Sequence, residues 1–211
     1  MKHIFLTGDI GCGKSTLIRR VLETAGSQIT VAGGFLTGFE NNQRFGPRKL
    51  YMCNAKNFSD PQFLRQPVFS QVYGGQAAAN LEAFSPPQII RETFEDFGVS
   101  LIEAGLTTAL NADKAAKKTV PKVPLKNNNN GGSVPVLIFD ECGYMEAEAP
   151  LFRQAVIRSL DSPVPILGVI RQTTRPSWLD QIRAHPDTLL MTVTPQNRDH
   201  LMPLLCGLLC P

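Results

Sequence analysis

The sequence has little of what marks a membrane protein, a nucleic-acid-binding protein or a metal-cluster protein. No apolar run approaches the roughly 20 residues that a membrane-spanning helix needs, and the chain opens on a candidate strand, so we expect no signal peptide. The formal net charge is only +3, and lysines and arginines form no continuous basic stripe. The five cysteines are odd in number and lack the paired spacing of metal ligands, so we expect free thiols. Together these features predict a cytoplasmic protein that binds neither membranes nor nucleic acid.

The composition is that of an ordinary globular protein. The chain has 211 residues, of which 43% are apolar and 18% charged, enough for one sizeable core. Residues 113–133 are instead rich in Ala, Lys, Pro, Asn and Gly. Such a segment cannot bury enough apolar surface to offset an ordering entropy of about 1–2 kcal/mol per residue. We therefore predict a single domain over residues 1–211 with a flexible loop at 113–133.

The most informative feature is a glycine-rich segment that follows an apolar run. It matches the pattern G-x-x-x-x-G-K-[ST], which cradles phosphates when it connects a strand to a helix. Both neighbours are predicted, as a strand over His3–Thr7 and a helix over Lys14–Ala25 with apolar residues at helical spacing. The predicted nucleotide-binding residues are Gly8, Asp9, Ile10, Gly11, Cys12, Gly13, Lys14, Ser15 and Thr16.

The residue types in this loop suit a triphosphate bound with Mg²⁺. Gly8, Gly11 and Gly13 let the backbone approach the ligand closely. The ammonium group of Lys14 would reach the β- and γ-phosphates, and the hydroxyl of Ser15 would ligate Mg²⁺. The loop therefore predicts Mg²⁺ as the cofactor and a nucleoside triphosphate as the ligand.

A second candidate motif supplies the acidic groups that such a site needs. Residues 134–139 form a continuous apolar run, typical of a strand covered on both faces, and Asp140 and Glu141 follow it directly. We assign Asp140 to Mg²⁺, through water, because a Mg²⁺-nucleotide site needs a carboxylate at the end of a nearby buried strand. Glu141 is assigned to orient or activate an attacking water, since adjacent carboxylates at a strand tip need not point the same way.

The remaining pattern alternates strands and helices. Parallel strands require crossover connections, so the alternation predicts an α/β fold, an open and mostly parallel sheet with helices on both faces in three layers. A hairpin is predicted from strands over 33–40 and 48–52, and one long helix over 87–110, disturbed at Gly98. The other predicted elements are a helix over 151–160, a strand over 166–170, a helix over 176–184, a strand over 189–193, and a last helix capped by Thr194.

Two arginines are candidates for a cation that neutralises charge developing on the γ-phosphate. Ligands of such sheets bind at the carboxyl ends of the strands, where Gly8, Asp140 and Arg171 would all lie. Arg171 and Arg175 follow a buried strand and are candidates for this role, and we name Arg171 as a catalytic residue with Lys14 and Glu141. The alternative, surface arginines paired with carboxylates, stays open here.

Five stretches of the chain resemble the THEP1-type nucleoside-triphosphatases, in the family's order. They are Ile4-Phe5-Leu6-Thr7-Gly8, Gly33-Gly34-Phe35-Leu36-Thr37, Asn80-Leu81-Glu82-Ala83-Phe84, Ile138-Phe139-Asp140-Glu141-Cys142-Gly143-Tyr144-Met145-Glu146 and Val193-Thr194-Pro195-Gln196-Asn197-Arg198-Asp199. The resemblance implies a P-loop NTPase domain and slow, broad hydrolysis of ATP, GTP and other triphosphates to diphosphate and phosphate. Asn197 and Arg198 lie either near the nucleobase or on a helix surface.

Two other functions remain open from the sequence. The same phosphate-binding scaffold occurs in small-molecule and nucleotide kinases, although the chain lacks a recognisable arginine-rich lid or acceptor-binding motif. It would also serve a nucleotide-gated adaptor, in which bound nucleotide shapes a partner surface. The sequence contains no motif that identifies a protein partner.

Overall fold

The described part of the chain alternates strands and helices around one sheet. The structure, a computed structural model, describes residues 3–40, 49–57, 65–69, 88–118, 133–173, 175 and 177–210. Within these residues the strands are β1 His3–Thr7, β2 Ile29–Phe39, β3 Leu50–Asn54, β4 Arg65–Pro67, β5 Val134–Cys142, β6 Ile166–Ile170 and β7 Thr188–Thr192. The helices are α1 Lys14–Ala25, α2 Val99–Lys118, α3 Pro150–Leu160, α4 Leu179–Ala184 and α5 Arg198–Leu209.

The sheet is mostly parallel, as predicted. Its strand order is β4-β3-β2-β5-β6-β1-β7. The strands from β2 to β7 in this order pair in parallel, whereas β3 pairs antiparallel with both β2 and β4. The predicted hairpin is therefore confirmed as the pair β2 and β3, and its turn lies outside the described residues.

Helices cover both faces of the sheet, which confirms the three-layer prediction. Successive strand residues point to opposite faces, so Phe5 of β1 packs on one side while Ile4 and Leu6 pack on the other. The Phe5 side is covered by apolar residues of α2, α3 and α4. The opposite side is covered by α1 and α5, through residues such as Leu17 and Leu205.

The β1–α1 unit matches its prediction closely because its signals are local. The apolar residues Leu17, Ile18, Val21 and Leu22 form the buried stripe of α1. Gly26 ends the helix with φ 51°, and its backbone N–H donates to the carbonyl of Leu22. The sequence therefore predicts both the start and the end of this helix correctly.

The region before and within α2 differs from its prediction. Ile89 pairs with Phe69 in an isolated β-bridge, so the helical part begins after it. A π-helical turn at Thr93–Gly98 precedes α2, which agrees with a disturbance at Gly98. The helix then continues to Lys118, so the predicted loop at 113–133 is wrong at its start, where the favourable helix propensity of Ala and Lys prevails. Residues 119–132 of that loop lie outside the described residues.

The last helix begins later than predicted. The hydroxyl of Thr194 accepts the N–H of Asn197 at 3.2 Å, and the Asn197 side-chain oxygen accepts the N–H of Thr194 at 2.8 Å. These are the reciprocal bonds of a capping box, and the N–H of Arg198 also donates to the carbonyl of Thr194 at 3.1 Å, so the capped turn leads directly into α5, which begins at Arg198. Thr194 therefore caps the turn that leads into α5, as predicted, and only the regular helix begins one turn later than expected.

The predictions about membrane spans, domain number and location are tested only in part. None of the helices in the described ranges is long and apolar enough to span a membrane. All strands in those ranges belong to one sheet. The single domain over 1–211 and the cytoplasmic location stay predictions.

A contact between two glycines brings α2 close to β2. A Cβ atom added at Gly105 of α2 would lie 2.9 Å from the Cα of Gly33 and 2.7 Å from the Cδ2 of Leu137. A Cβ added at Gly33 would lie 2.5 Å from the Cα of Gly105. Because backbone cannot give way as a flexible side chain can, these positions require glycine.

We expect Gly105→Ala to lower the free energy of unfolding by about 1–3 kcal/mol, because the added methyl overpacks the α2–β2 contact. The matched control is Gly207→Ala in α5, where an added Cβ meets nothing within 4 Å. That control should raise stability by up to about 1 kcal/mol, the usual gain in an exposed helix. Urea denaturation of both variants checks the prediction, and stabilisation by both would contradict it.

Candidate active site

The glycine-rich loop after β1 has a backbone conformation that depends on its glycines. The φ angles are 139° at Gly8, 78° at Gly11 and 101° at Gly13, all in the region that favours glycine. A Cβ at Gly8 would lie 2.3 Å from the carbonyl oxygen of Val193, so the loop packs tightly against the end of β7. The predicted phosphate loop therefore has the shape expected of a strand-loop-helix anion site.

Lys14 is held inside this loop. Its side chain is buried, and Nζ donates to the carbonyl oxygens of Gly8 and Asp9, both at 2.9 Å. Its third contact is the sulfur of Cys12 at 3.9 Å, a weak acceptor that an anionic oxygen would displace. The ammonium group thus lies at the centre of the loop with one donor available for a ligand.

Ser15 and Asp140 meet at the edge of the sheet. The Ser15 hydroxyl donates to Oδ1 of Asp140 at 3.0 Å. The two residues come from β1–α1 and β5, and β6 lies between those strands, so the acidic strand is not the immediate neighbour of β1. The pKa of Asp140 is raised from 3.8 to about 6, because burial, and to a smaller extent the neighbouring Glu141 carboxylate, outweigh the opposing Ser15 hydroxyl and Lys14 ammonium.

Glu141 lies in a bulge at the end of β5. Phe139 pairs with Gly168 and Cys142 pairs with Ile170, so β5 has one residue more than β6 between these pairs. Glu141 has φ 56°, the only positive value outside glycine among the described residues. Bulges re-aim side chains. As a result the Asp140 carboxylate faces Ser15, while Glu141 lines an open cleft.

The cleft brings together most of the residues predicted from the sequence. It has a volume of about 500 Å³ and is lined by Gly8, Asp9, Ile10, Lys14, Glu141, Arg171, Gln172, Thr173 and Arg175. Ser15 and Asp140 meet beside it. Thr16 lies on the exposed surface of α1. Gln172 and Thr173 are lining residues to which the sequence reasoning gave no role.

Arg171 and Arg175 lie at the cleft and form no ion pair among the described residues, although the charge of Arg171 opposes the rise that burial causes in the pKa of Glu146. Within the part of the chain that the structure describes, no carboxylate lies within 4 Å of either guanidinium. The Arg171 guanidinium instead lies over the ring of Tyr144. This arrangement favours the predicted role of a free cation over that of a surface ion pair.

Glu146 is a buried acid that sequence reasoning did not assign. Its side chain is fully buried, and Oε2 accepts the N–H of Gly143 at 2.8 Å. Its Oε1 is buried and has no hydrogen-bond partner among the described residues. Burial raises the pKa of Glu146 to about 7, and the Gly143 bond opposes the rise. The sequence signal that could have indicated this turn is Gly143 directly after β5, followed three positions later by the acid Glu146.

Arg198 lies against the phosphate loop. A Cβ added at Gly13 would lie 3.2 Å from both Cδ and Nη1 of Arg198. Asn197 is engaged instead in the turn before α5, where its Nδ2 also donates to the Thr192 carbonyl at 2.9 Å. The structure thus brings Arg198 to the loop and Asn197 into a structural role, whereas proximity to the nucleobase stays a prediction.

Comparison with known proteins agrees with this geometry. The family model described as NTPase matches residues 3–73 and 75–205, which is nearly the whole chain. A relative named cancer-related nucleoside-triphosphatase, from Homo sapiens, is 29% identical over 96% of this chain and 93% of its own length. Nucleoside-triphosphatase THEP1 of Aquifex aeolicus is 26% identical over 98% of both chains. This chain belongs to the THEP1-type NTPase family.

Two solved structures have the same fold as this NTPase-family chain. The crystal structure of THEP1 from the hyperthermophile Aquifex aeolicus has a TM-score of 0.62 and 23% identity, and the match covers 99% of both chains. The solution structure of a human cancer-related nucleoside triphosphatase has a TM-score of 0.61 and 23% identity, covering 99% of this chain and 97% of its own. The predicted P-loop α/β fold is confirmed. Of the five stretches that resemble the family, residues 80–84 lie outside the described residues.

The buried Glu146 should make stability depend on pH. Its pKa is raised from 4.5 to about 7, so the folded protein keeps a proton that the unfolded chain releases within this window. The stabilising contribution is complete below pH 4.5 and is lost as the pH rises to about 7. We expect Glu146→Gln to remove about 2–4 kcal/mol of this loss in stability, since the pKa rises from 4.5 to about 7 and each pKa unit corresponds to about 1.4 kcal/mol.

Urea denaturation at pH 5 and pH 8 measures this effect as the difference between the wild type and Glu146→Gln. That difference excludes the titration of Asp140, which both proteins share. The control is Glu148→Gln, which changes an exposed acid of the same turn and should keep the wild-type pH dependence. An unchanged pH dependence in Glu146→Gln would show that Glu146 stays ionised in the folded protein.

Proposed function

We propose that this protein is a Mg²⁺-dependent nucleoside-triphosphatase that slowly hydrolyses ATP, GTP and other triphosphates to the diphosphate and phosphate. Membership in the NTPase family gives the reaction class, hydrolysis of nucleoside triphosphates. The observation that carries the proposal is the contact between Ser15 and Asp140 beside a loop that encloses Lys14. Glu141 lies in the same cleft as Lys14.

The phosphate loop supplies the binding energy for the triphosphate. The N-terminus of α1 follows the loop directly, and its free backbone N–H groups and helix dipole favour an anion there. Lys14 adds a buried positive charge, which interacts more strongly with phosphate than an exposed lysine would. We expect the β- and γ-phosphates to occupy this loop, with the γ-phosphate toward Glu141 and Arg171.

The residues beside the loop suit Mg²⁺. The Ser15 hydroxyl and the Asp140 carboxylate are hard oxygen ligands already in contact, and Mg²⁺ in nucleotide sites uses few protein ligands, completing its shell with water and phosphate oxygens. The buried Asp140, with its raised pKa, is a group whose ionised form a nearby cation would stabilise. Bound Mg²⁺ would neutralise phosphate charge. Ser15 and Asp140 would hold it.

Glu141 is the group proposed to prepare the water. Its carboxylate is half-buried and lines the cleft, so it is within reach of both solvent and the expected γ-phosphate position. The water oxygen bonds to the γ-phosphorus while the bond from that phosphorus to the bridging oxygen breaks. The water proton passes to Glu141, and the diphosphate leaves with the electron pair.

Arg171 is proposed to neutralise the charge that develops on the transferred phosphoryl group. Its backbone N–H donates to the carbonyl of Cys142 at 2.9 Å, and its own carbonyl accepts from Arg183 at 2.9 Å. Arg175 is exposed, and its described hydrogen bonds are both to Thr173. Because the cleft is open, water weakens the electrostatic effect of these cations, which supports slow turnover.

Two substitutions separate binding from catalysis. We expect Glu141→Gln to lower kcat by about 10²–10⁴-fold while nucleotide affinity is kept, because only the proton acceptor is lost. Lys14→Ala should weaken nucleotide binding by about 10–100-fold, since a charge-assisted hydrogen bond contributes about 1.5–3 kcal/mol. Phosphate release with several triphosphates and titration with a fluorescent nucleotide measure the two effects, with Glu148→Gln as the control.

Native-rate hydrolysis by Glu141→Gln would show that another group prepares the water. Acceptor-dependent consumption of triphosphate without free phosphate would replace the proposal with a kinase. Tight nucleotide binding with negligible turnover by the wild type would replace it with a nucleotide-gated adaptor.

The two arginines should differ in their effect on rate. We expect Arg171→Ala to lower kcat by about 10²–10³-fold, less than the 10³–10⁵ of an enclosed arginine finger because this cleft is open. Arg175→Ala should change kcat less than tenfold, since its side chain is exposed and its backbone is held only locally. Single-turnover phosphate release measures both variants. The reverse order of effects would assign the role to Arg175.

A further inference from the structure

We infer that Tyr144 is a positioning residue for hydrolysis, because its ring holds the Arg171 guanidinium at the cleft. The inference rests on the proposed function, in which Arg171 faces the γ-phosphate. The guanidinium carbon of Arg171 lies 4.7 Å from the centroid of the Tyr144 ring, within the distance of a cation–π interaction. Tyr144 itself lies outside the cleft lining, whereas Arg171, which it contacts, belongs to that lining.

The Tyr144 ring is not part of the buried hydrophobic core. It is 55% exposed, although tyrosine rings usually bury most of their apolar surface. A ring face attracts the guanidinium without accepting its hydrogen bonds, so the N–H donors in the guanidinium plane stay available to a phosphate. A carboxylate in the same place would occupy those donors and neutralise the charge.

The backbone on both sides of this contact is held in place. The N–H of Gly143 donates to Glu146 at 2.8 Å, and its carbonyl accepts from the Trp178 indole at 2.8 Å. Arg171 is tied through its own N–H to the carbonyl of Cys142. Tyr144 therefore projects from a segment whose position relative to Arg171 is determined by buried hydrogen bonds.

The aliphatic part of Arg171 also packs on this segment. A Cβ added at Gly143 would lie 3.7 Å from Cδ of Arg171, so the stem of the arginine lies along Gly143 and its head over Tyr144. An arginine loses considerable rotamer freedom when it is held in one orientation. Because the ring already orders the Arg171 side chain, less conformational entropy is lost when the triphosphate binds. Tyr144 can therefore affect the rate although it touches no substrate.

The test compares variants that keep or remove the ring. Tyr144→Leu should lower kcat about two- to fivefold with KM nearly unchanged, which is the cation–π range of about 0.5–1 kcal/mol converted to rate. Tyr144→Phe keeps the ring and should retain the wild-type kcat. The matched control is Tyr51→Leu, since the Arg65 guanidinium lies 4.0 Å from the Tyr51 ring on β3 and β4, away from the cleft.

A double-mutant cycle decides whether Tyr144 acts through Arg171. Adding Tyr144→Leu to Arg171→Ala should cause no further loss of kcat in single-turnover phosphate release, because the residue that the ring positions is already gone. The inference is overturned if the loss is the same in both backgrounds, if only KM changes, or if Tyr51→Leu has an equal effect. An active wild type with no response to Tyr144→Leu overturns this inference alone, whereas an inactive wild type overturns the proposed function as well.

Discussion

The hydrogen bond between Ser15 and Asp140 is the contact on which the arrangement of the site depends. It joins the loop that follows β1 to the end of β5, although β6 separates those strands. The pairing explains how this is possible, since Leu167 of β6 pairs with Ile4 on one side and Ile138 on the other. Ile4, Leu167 and Ile138 thus lie side by side in three parallel strands, so the carboxyl ends of these strands reach the same edge of the sheet.

The bulge in β5 makes two adjacent carboxylates, those of Asp140 and Glu141, face different surroundings. Without the additional residue, Asp140 and Glu141 would alternate across the sheet like any strand pair. With it, Asp140 keeps its contact with Ser15 and Glu141 faces the cleft that contains Lys14. The backbone of Asp140 is also held from β2, where the Thr37 hydroxyl donates to its carbonyl at 3.2 Å. The strands β2, β5 and β6, together with the phosphate loop and Ser15, therefore determine where the Asp140 and Glu141 side chains lie.

The sequence predicts those parts whose causes are local. The spacing of Leu17, Ile18, Val21 and Leu22 determines α1, and the glycine pattern determines the loop before it, so both are found without the rest of the chain. Thr194 is a further local signal, since its hydroxyl accepts the N–H of Asn197 and its own N–H donates to the Asn197 side chain, as in a capping box. The limit of such rules is seen in α2, which extends to Lys118 because Ala and Lys favour a helix, although the composition of the segment that follows is that of a loop.

The parts that the sequence does not predict depend on pairing between distant segments. The bulge at Glu141 exists only in relation to β6, and the contact between Tyr144 and Arg171 needs both strand ends to be in place. The burial of Glu146 is similar, because a glutamate in a polar stretch after a strand is ordinarily solvated. The bulge and the Tyr144–Arg171 contact carry no local pattern, and the spacing of Gly143 and Glu146 does not by itself indicate burial.

The positive φ of Glu141 requires that its surroundings hold it there. A left-handed conformation costs about 1–2 kcal/mol for a residue with a Cβ atom, so it persists only where neighbouring contacts offset that cost. Both backbone groups of Gly143, two residues along the chain, are bonded to buried side chains of Glu146 and Trp178. Each such bond contributes about 0.5–1.5 kcal/mol, which together are enough to offset the strain. The orientation of the proposed water-orienting carboxylate is therefore set by buried groups behind the cleft, before any nucleotide binds.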